Sequence, residues 1–168
     1  MDTLERGGVT ADDLSAQPEK LVFMSNTDRF TLPAEVGHEI QLKALRRRFA
    51  EGKEAIPVLG KLAKEQGISQ INRLEDAAPL LLRNSAYKSY PLSFIDKGQY
   101  ANLTKWLNNL TSHDLSKVDV SDCKSLDNWV DAIAAQTPIR ITHSSGTSGR
   151  LSFLPRSEAG VRLTVENY

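Results

Sequence analysis

The chain has 168 residues, of which 40% are apolar and 25% charged, with a mean hydropathy of -0.36, a size and composition that fit one globular domain. Lysine and arginine number 21 against 21 aspartates and glutamates, so no overall field draws in nucleic acid. No run of ~18 apolar residues is present and Met1–Gly8 has no basic region leading into an apolar one, so the expectation is no membrane span and a cytoplasmic location. Cys123 is the only cysteine, which excludes an internal disulfide and a cysteine-based zinc site.

Residues 1–20 are polar and read as a loosely attached lead-in, with a short capped turn at Thr10–Leu14; residues 21–168 read as one unit. The apolar run Val22-Phe23-Met24 fits a strand or a buried turn equally. From Pro33 the apolar positions recur with a helical period through Ala34, His38, Leu42, Leu45 and Phe49, and Gly52 suits the stop; His38 reads as a histidine at the edge of a core. Arg46, Arg47 and Arg48 fall off that stripe and read as a solvated face near the helix end. Pro57 opens a second helix carrying Leu59, Leu62 and Ala63 inward, stopped by Gly67.

The stretch 70–91 breaks at Asp76–Pro79, is expected to bury Leu80-Leu81-Leu82, and continues into an aromatic, extended loop, Tyr87-Lys88-Ser89-Tyr90-Pro91, which either covers a pocket or simply packs. One helix is predicted over Phe94–Leu110, capped by Ser93, with Tyr100, Leu103, Leu107 and Leu110 on its inner face and Trp106 at the border. Ser112–Leu115 reads as a turn. A further helix from near Ser125 buries Trp129 and Ile133, with Ala132 as a further candidate, and stops before Thr137-Pro138.

After Pro138 the period becomes that of a half-buried strand, with Ile139 and Ile141 alternating with Arg140 and Thr142. His143-Ser144-Ser145-Gly146-Thr147-Ser148-Gly149-Arg150 follows, then a second short strand, Leu151–Leu154, ended by Pro155. Glycines that let the backbone approach closely, together with the hydroxyls of Ser144, Ser145, Thr147 and Ser148, make an anion cradle, and a polyphosphate is the natural guest. A Walker loop is excluded, because it spaces its glycines more widely, carries a lysine and opens a helix, whereas a strand follows here. A plain Ser/Gly-rich hairpin connection fits the same composition.

Ser144-Ser145-Gly146-Thr147-Ser148-Gly149 resembles the phosphate-binding signature of the adenylate-forming superfamily, Ser/Thr-Ser-Gly-Thr-Thr/Ser-Gly, which also lies between two strands. In that superfamily a proline and a lysine often follow, where this chain has Leu151 and Ser152, so the lysine contact does not carry over. A hydroxyl residue at that place resembles the phenylacetate–CoA ligase-like and acyl-protein synthetase-like members, with Arg150 or Arg156 as alternative sources of the missing charge. The helical region and Tyr87–Pro91 resemble, more faintly, the N-terminal part of the same branch.

The resemblance implies an α+β architecture: a mainly helical N-terminal region, then a β-hairpin carrying the phosphate-binding loop, together an incomplete part of a larger α/β ligase domain. It also implies that the Thr147 and Ser148 hydroxyls, with the Gly146 and Gly149 amides, hold the β- and γ-phosphates of magnesium ATP. A carboxylic acid would then be activated as an acyl-adenylate and passed to CoA or a protein thiol. Ser144, Ser145 and Arg150 complete the implied nucleotide-binding set, and His143, adjacent to it, would touch a phosphate, line the acyl pocket or do neither. The superfamily's adenine-stacking, ribose-binding, magnesium-binding and catalytic lysine residues lie downstream of this loop. The expectation is therefore an inactive N-terminal segment with no catalytic or metal-ligating residue of its own. Apolar positions Val161, Leu163 and Val165, behind a cap at Ser157, point the same way, to a helix still in progress near Tyr168. The rival reading is a non-catalytic helical interaction module with an anion-binding hairpin.

Overall fold

The computed structural model describes residues 11–17, 31–144 and 149–166. Val22-Phe23-Met24 lies outside the described residues. In chain order the elements are α1 (Ala11–Ala16), α2 (Ala34–Ala55), α3 (Pro57–Glu65), two 3-10 turns (Leu74–Leu80 and Asn84–Lys88), α4 (Ser93–Asp96), α5 (Tyr100–Asn108), α6 (Leu126–Gln136), β1 (Ile139–His143), β2 (Phe153–Ser157) and α7 (Glu158–Glu166). The chain is thus α+β, with helices ahead of a two-stranded antiparallel sheet.

Two apolar clusters organise these elements. In the first, Phe49, Ala63, Ile71 and Leu80 are buried between α2, α3 and the turn that follows, with Leu42, Leu45, Leu59, Leu62 and Ile68 packed against them. The chain reverses between α2 and α3 because Ile56 precedes a proline and so takes extended backbone, φ -112 and ψ 104. Gly67, at φ +65, stops α3. The two helices meet closely at Gly60, where a Cβ would lie 2.5 Å from the Lys53 carbonyl oxygen.

The sequence expectations need correction at several points here. Helix α2 passes Gly52 and ends at Ala55, because the Ile56 N–H still donates to the Gly52 carbonyl. Its buried positions are Ile40, Ala44 and Phe49, while Ala34 and His38 are exposed; the helix packs on α1 as well as α3, so two faces share the burial. Within the lead-in, the described residues 11–17 pack on α2: Leu14 is 1% exposed and Arg47 Nη1 donates to the Ala16 carbonyl at 3.1 Å. Arg46, Arg47 and Arg48 are all exposed, as the sequence reading has them, and Arg46 also donates to the Ile71 and Asn72 carbonyls. Of the three leucines only Leu80 is buried; Leu81 is 72% exposed, since the 3-10 turn ends at Leu80 and the extended backbone at Leu81 turns the next side chain outward.

The second cluster is larger and aromatic, with Tyr90, Tyr100, Leu103, Leu107, Leu115, Val120, Trp129, Ile133, Ile139, Ile141 and Phe153 all buried. The single helix expected over 94–110 is two helices, because Gly98 at φ +60 breaks the backbone between α4 and α5. The inner face of α5 is the expected one. Helix α6 starts where Ser125 Oγ accepts the Asn128 N–H at 3.1 Å, and its Trp129 and Ile133 reach the core. Trp129 Nε1 donates to Thr104 Oγ1 at 2.9 Å, and that hydroxyl donates to the Tyr100 carbonyl, so the buried polar groups are satisfied.

The strands pair Ile139 with Ser157, Ile141 with Pro155 and His143 with Phe153. The Ser144 N–H donates to the Ser152 carbonyl and the Glu158 N–H to the Pro138 carbonyl, which bracket the ribbon and assign its hydrogen-bonded pairs to Arg140 with Arg156 and Thr142 with Leu154. Pro155 therefore sits at a non-bonded pair, where its missing N–H breaks no bond to β1. For that reason β2 does not end at Pro155, as the sequence suggested, but continues to Ser157. Helix α7 follows directly, with Ser157 Oγ accepting the Gly160 N–H at 3.1 Å.

Candidate functional site

The hairpin connection is the segment to which the sequence assigns chemistry, and the described residues fix both of its limbs. Ser145, Gly146, Thr147 and Ser148 lie outside the described residues. At the neck, Ser144 and Ser152 face each other: the Ser144 N–H donates to the Ser152 carbonyl at 3.2 Å, and the Ser152 N–H donates to Ser144 Oγ at 3.0 Å. The Ser144 hydroxyl thus acts in closing the neck. Gly149, at φ +80, starts the returning limb, a conformation that L side chains rarely adopt; among the described residues nothing approaches within 4 Å of where its Cβ would be.

The returning limb rests on the segment 84–90, more than sixty residues earlier in the chain. Arg150 Nη1 donates to the Lys88 carbonyl at 2.8 Å, and its guanidinium lies 5.6 Å from the centre of the Tyr90 ring. The Tyr90 hydroxyl donates to the Leu151 carbonyl at 2.9 Å. Ser152 Oγ reaches Asn84 Oδ1 at 3.4 Å, the long end of the hydrogen-bond range. Burial pushes the Tyr90 phenol above its ordinary pKa of 10.0, with the Arg150 charge opposing, so the ring keeps the proton that it donates.

Tyr90 is itself held from below. It is 1% exposed, with its ring 5.0 Å from Trp106 and 5.3 Å from Phe153, and Phe153 lies edge-on to Trp129 at 5.4 Å. Trp106 Nε1 donates to Ser89 Oγ at 2.9 Å, and that hydroxyl donates to the Ala86 carbonyl, which closes the second 3-10 turn. The tract expected to be an extended loop is therefore a turn as far as Lys88, and of its two tyrosines Tyr90 packs into the core. This platform was half visible in the sequence as an aromatic cluster. The Lys88 carbonyl that receives Arg150 has no sequence signal, because every residue carries one.

Of the two arginines that could replace the missing lysine, Arg150 stands at the neck. Arg156 is exposed and is placed four residues along β2 from Ser152, about 13 Å away at the usual strand rise, beside Arg140 at the far end of the ribbon. Arg140 itself turns to the Ala134 carbonyl at 3.0 Å and the Glu158 carboxylate at 3.3 Å. His143 is exposed, its Nδ1 3.2 Å from the Ser144 carbonyl oxygen, an arrangement that needs the proton on that nitrogen.

Chemically, the described limbs offer a glycine in the left-handed region and a fixed cation, which suit the close approach of an anion. Among the described residues no three His, Cys, Asp or Glu side chains gather as a metal cage. No helix among the described residues is long and apolar enough to cross a membrane. Comparison with protein families, curated proteins and solved structures brings no match for this chain.

Proposed function

We propose that the loop from Ser144 to Gly149 binds the polyphosphate of magnesium ATP, and that the chain is the N-terminal segment of an ATP-dependent ligase. That ligase activates a carboxylic acid as an acyl-adenylate: the carboxylate oxygen joins the α-phosphorus, pyrophosphate leaves, and the acyl group then passes to CoA or a protein thiol. The observation that carries the reading is the neck, where a strand, a Ser/Gly-rich connection and a strand are closed by the Ser144–Ser152 pair beside a glycine at φ +80. Such a frame suits backbone and hydroxyl donors that must be in place before a charged guest arrives.

A second reading, the non-catalytic interaction module, draws on Leu81 and Val165, 72% and 70% exposed. Apolar residues scattered singly on a surface are common, so this support is the weaker. Calorimetric titration with magnesium ATP separates the two. Saturable binding that is lost in Gly149→Val, a variant whose melting curve still shows a folded chain, is the expected result; no heat of binding from the folded wild-type chain overturns the ligase reading.

A further inference from the structure

We propose that Arg150 and Tyr90 are positioning residues for the returning limb of the hairpin, and that the Arg150 charge acts through the Lys88 carbonyl and the Tyr90 ring rather than as a direct phosphate ligand. This rests on the reading of the connection as a phosphate cradle.

Three consecutive residues, Arg150, Leu151 and Ser152, are each fastened to the same distant segment: Arg150 to Lys88, Leu151 to Tyr90 and Ser152 to Asn84. They come directly after Gly149, whose φ of +80 marks the point where the limb leaves the open part of the connection. A limb bonded at every residue has little freedom left, so the direction in which it delivers Gly149 is set by residues 84–90. The guanidinium is already engaged on two sides, by a carbonyl at 2.8 Å and by an aromatic face. Nη1 is held by the Lys88 carbonyl, so moving the whole guanidinium across to a phosphate would give up one of the three fastenings. The planar fork suits this geometry, whereas a lysine would supply the charge without either the stacking or the directed N–H.

The two roles make different demands on charge. A direct ligand is partly replaced by Lys and is indifferent to the Tyr90 hydroxyl. A positioning pair is not replaced by Lys, depends on the hydroxyl, and loses its effect once either member is gone.

The test is a double-mutant cycle on the 168-residue chain, with Tyr90→Phe, Arg150→Lys and the double variant titrated with magnesium ATP and with inorganic triphosphate. Amide hydrogen exchange across residues 149–152 is followed without any ligand. Tyr90→Phe keeps the buried ring, and melting curves confirm that each variant folds. Each single change is expected to weaken binding of both probes about tenfold and to quicken exchange in the limb. The double variant is expected to remain near tenfold, not to multiply to about a hundredfold. Wild-type affinity in Arg150→Lys, or full multiplication in the cycle, overturns the proposal. If the wild-type chain binds neither probe, the cradle reading falls, and exchange alone decides the positioning role: quickened exchange in Tyr90→Phe supports it, and unchanged exchange overturns it.

Discussion

The α2–α3 pair and the core under the hairpin both rest on buried apolar clusters, yet they are built by different means. The helical pair is local: two adjacent helices reverse at Ile56-Pro57 and meet through the absence of a side chain at Gly60. The hairpin core gathers Tyr90, Trp106, Trp129 and Phe153 from four separate segments, with their polar atoms bonded to Leu151, Ser89 and Thr104. Local packing needs only a helical period and a small residue. A frame that must hold a connection in one orientation needs contacts from across the chain, and those reside beneath the hairpin.

The sharpest way to break this contrast is Trp129→Ala, which removes a fully buried ring and leaves Thr104 without its indole donor. Urea denaturation should show a loss of about 3–5 kcal/mol, and a loss under ~1 kcal/mol would mean that the aromatic core is not the stabilising centre. Gly60→Ala comes next. Its Cβ would lie 2.5 Å from a backbone carbonyl, so α2 and α3 must part, at about 1–3 kcal/mol. Hydrogen exchange should quicken over residues 34–65 and leave the β1–β2 ribbon unchanged; an equal response in the ribbon would join the two regions into one cooperative unit.

A smaller, pH-dependent effect belongs to Asp76, which accepts the N–H groups of Asn72 and Arg73 at 2.9 and 3.1 Å. Those bonds, with Arg73 adding its side chain, hold its pKa below the ordinary 3.8. A depressed carboxylate stabilises the fold above its unfolded pKa and loses that contribution as pH falls through the folded value. The acid limb of a stability profile should therefore be shallower in Asp76→Asn than in wild type below pH 3.8, and identical limbs would remove Asp76 from the account. Smallest of all is Leu81→Gln at an exposed position, expected within about 0.5 kcal/mol of wild type by thermal melting.

Much of this architecture was legible wherever one period governs one partner. A helix beginning near Ser125, Trp129 and Ile133 inward, and Ile139 and Ile141 alternating on β1 follow from local rules, and the structure agrees. The reading lost accuracy where an element has two partners or a turn intervenes. His38 is exposed because α2 divides its burial between α1 and α3, and Gly98 splits a helix that periodicity alone would continue. At the site, the sequence marked the connection by its glycines and hydroxyls. It could not mark its support, since the Lys88 and Leu151 carbonyls are backbone groups and their partners lie 62 and 61 residues away.

Pro155 bears on how this ribbon meets other polypeptides. Because it occupies a non-bonded pair with Ile141, the donor it lacks belongs to the outward side of β2. An incoming chain seeking a continuous template there would meet a gap in the middle of the strand, so self-association along that border is discouraged while the pairing to β1 is untouched.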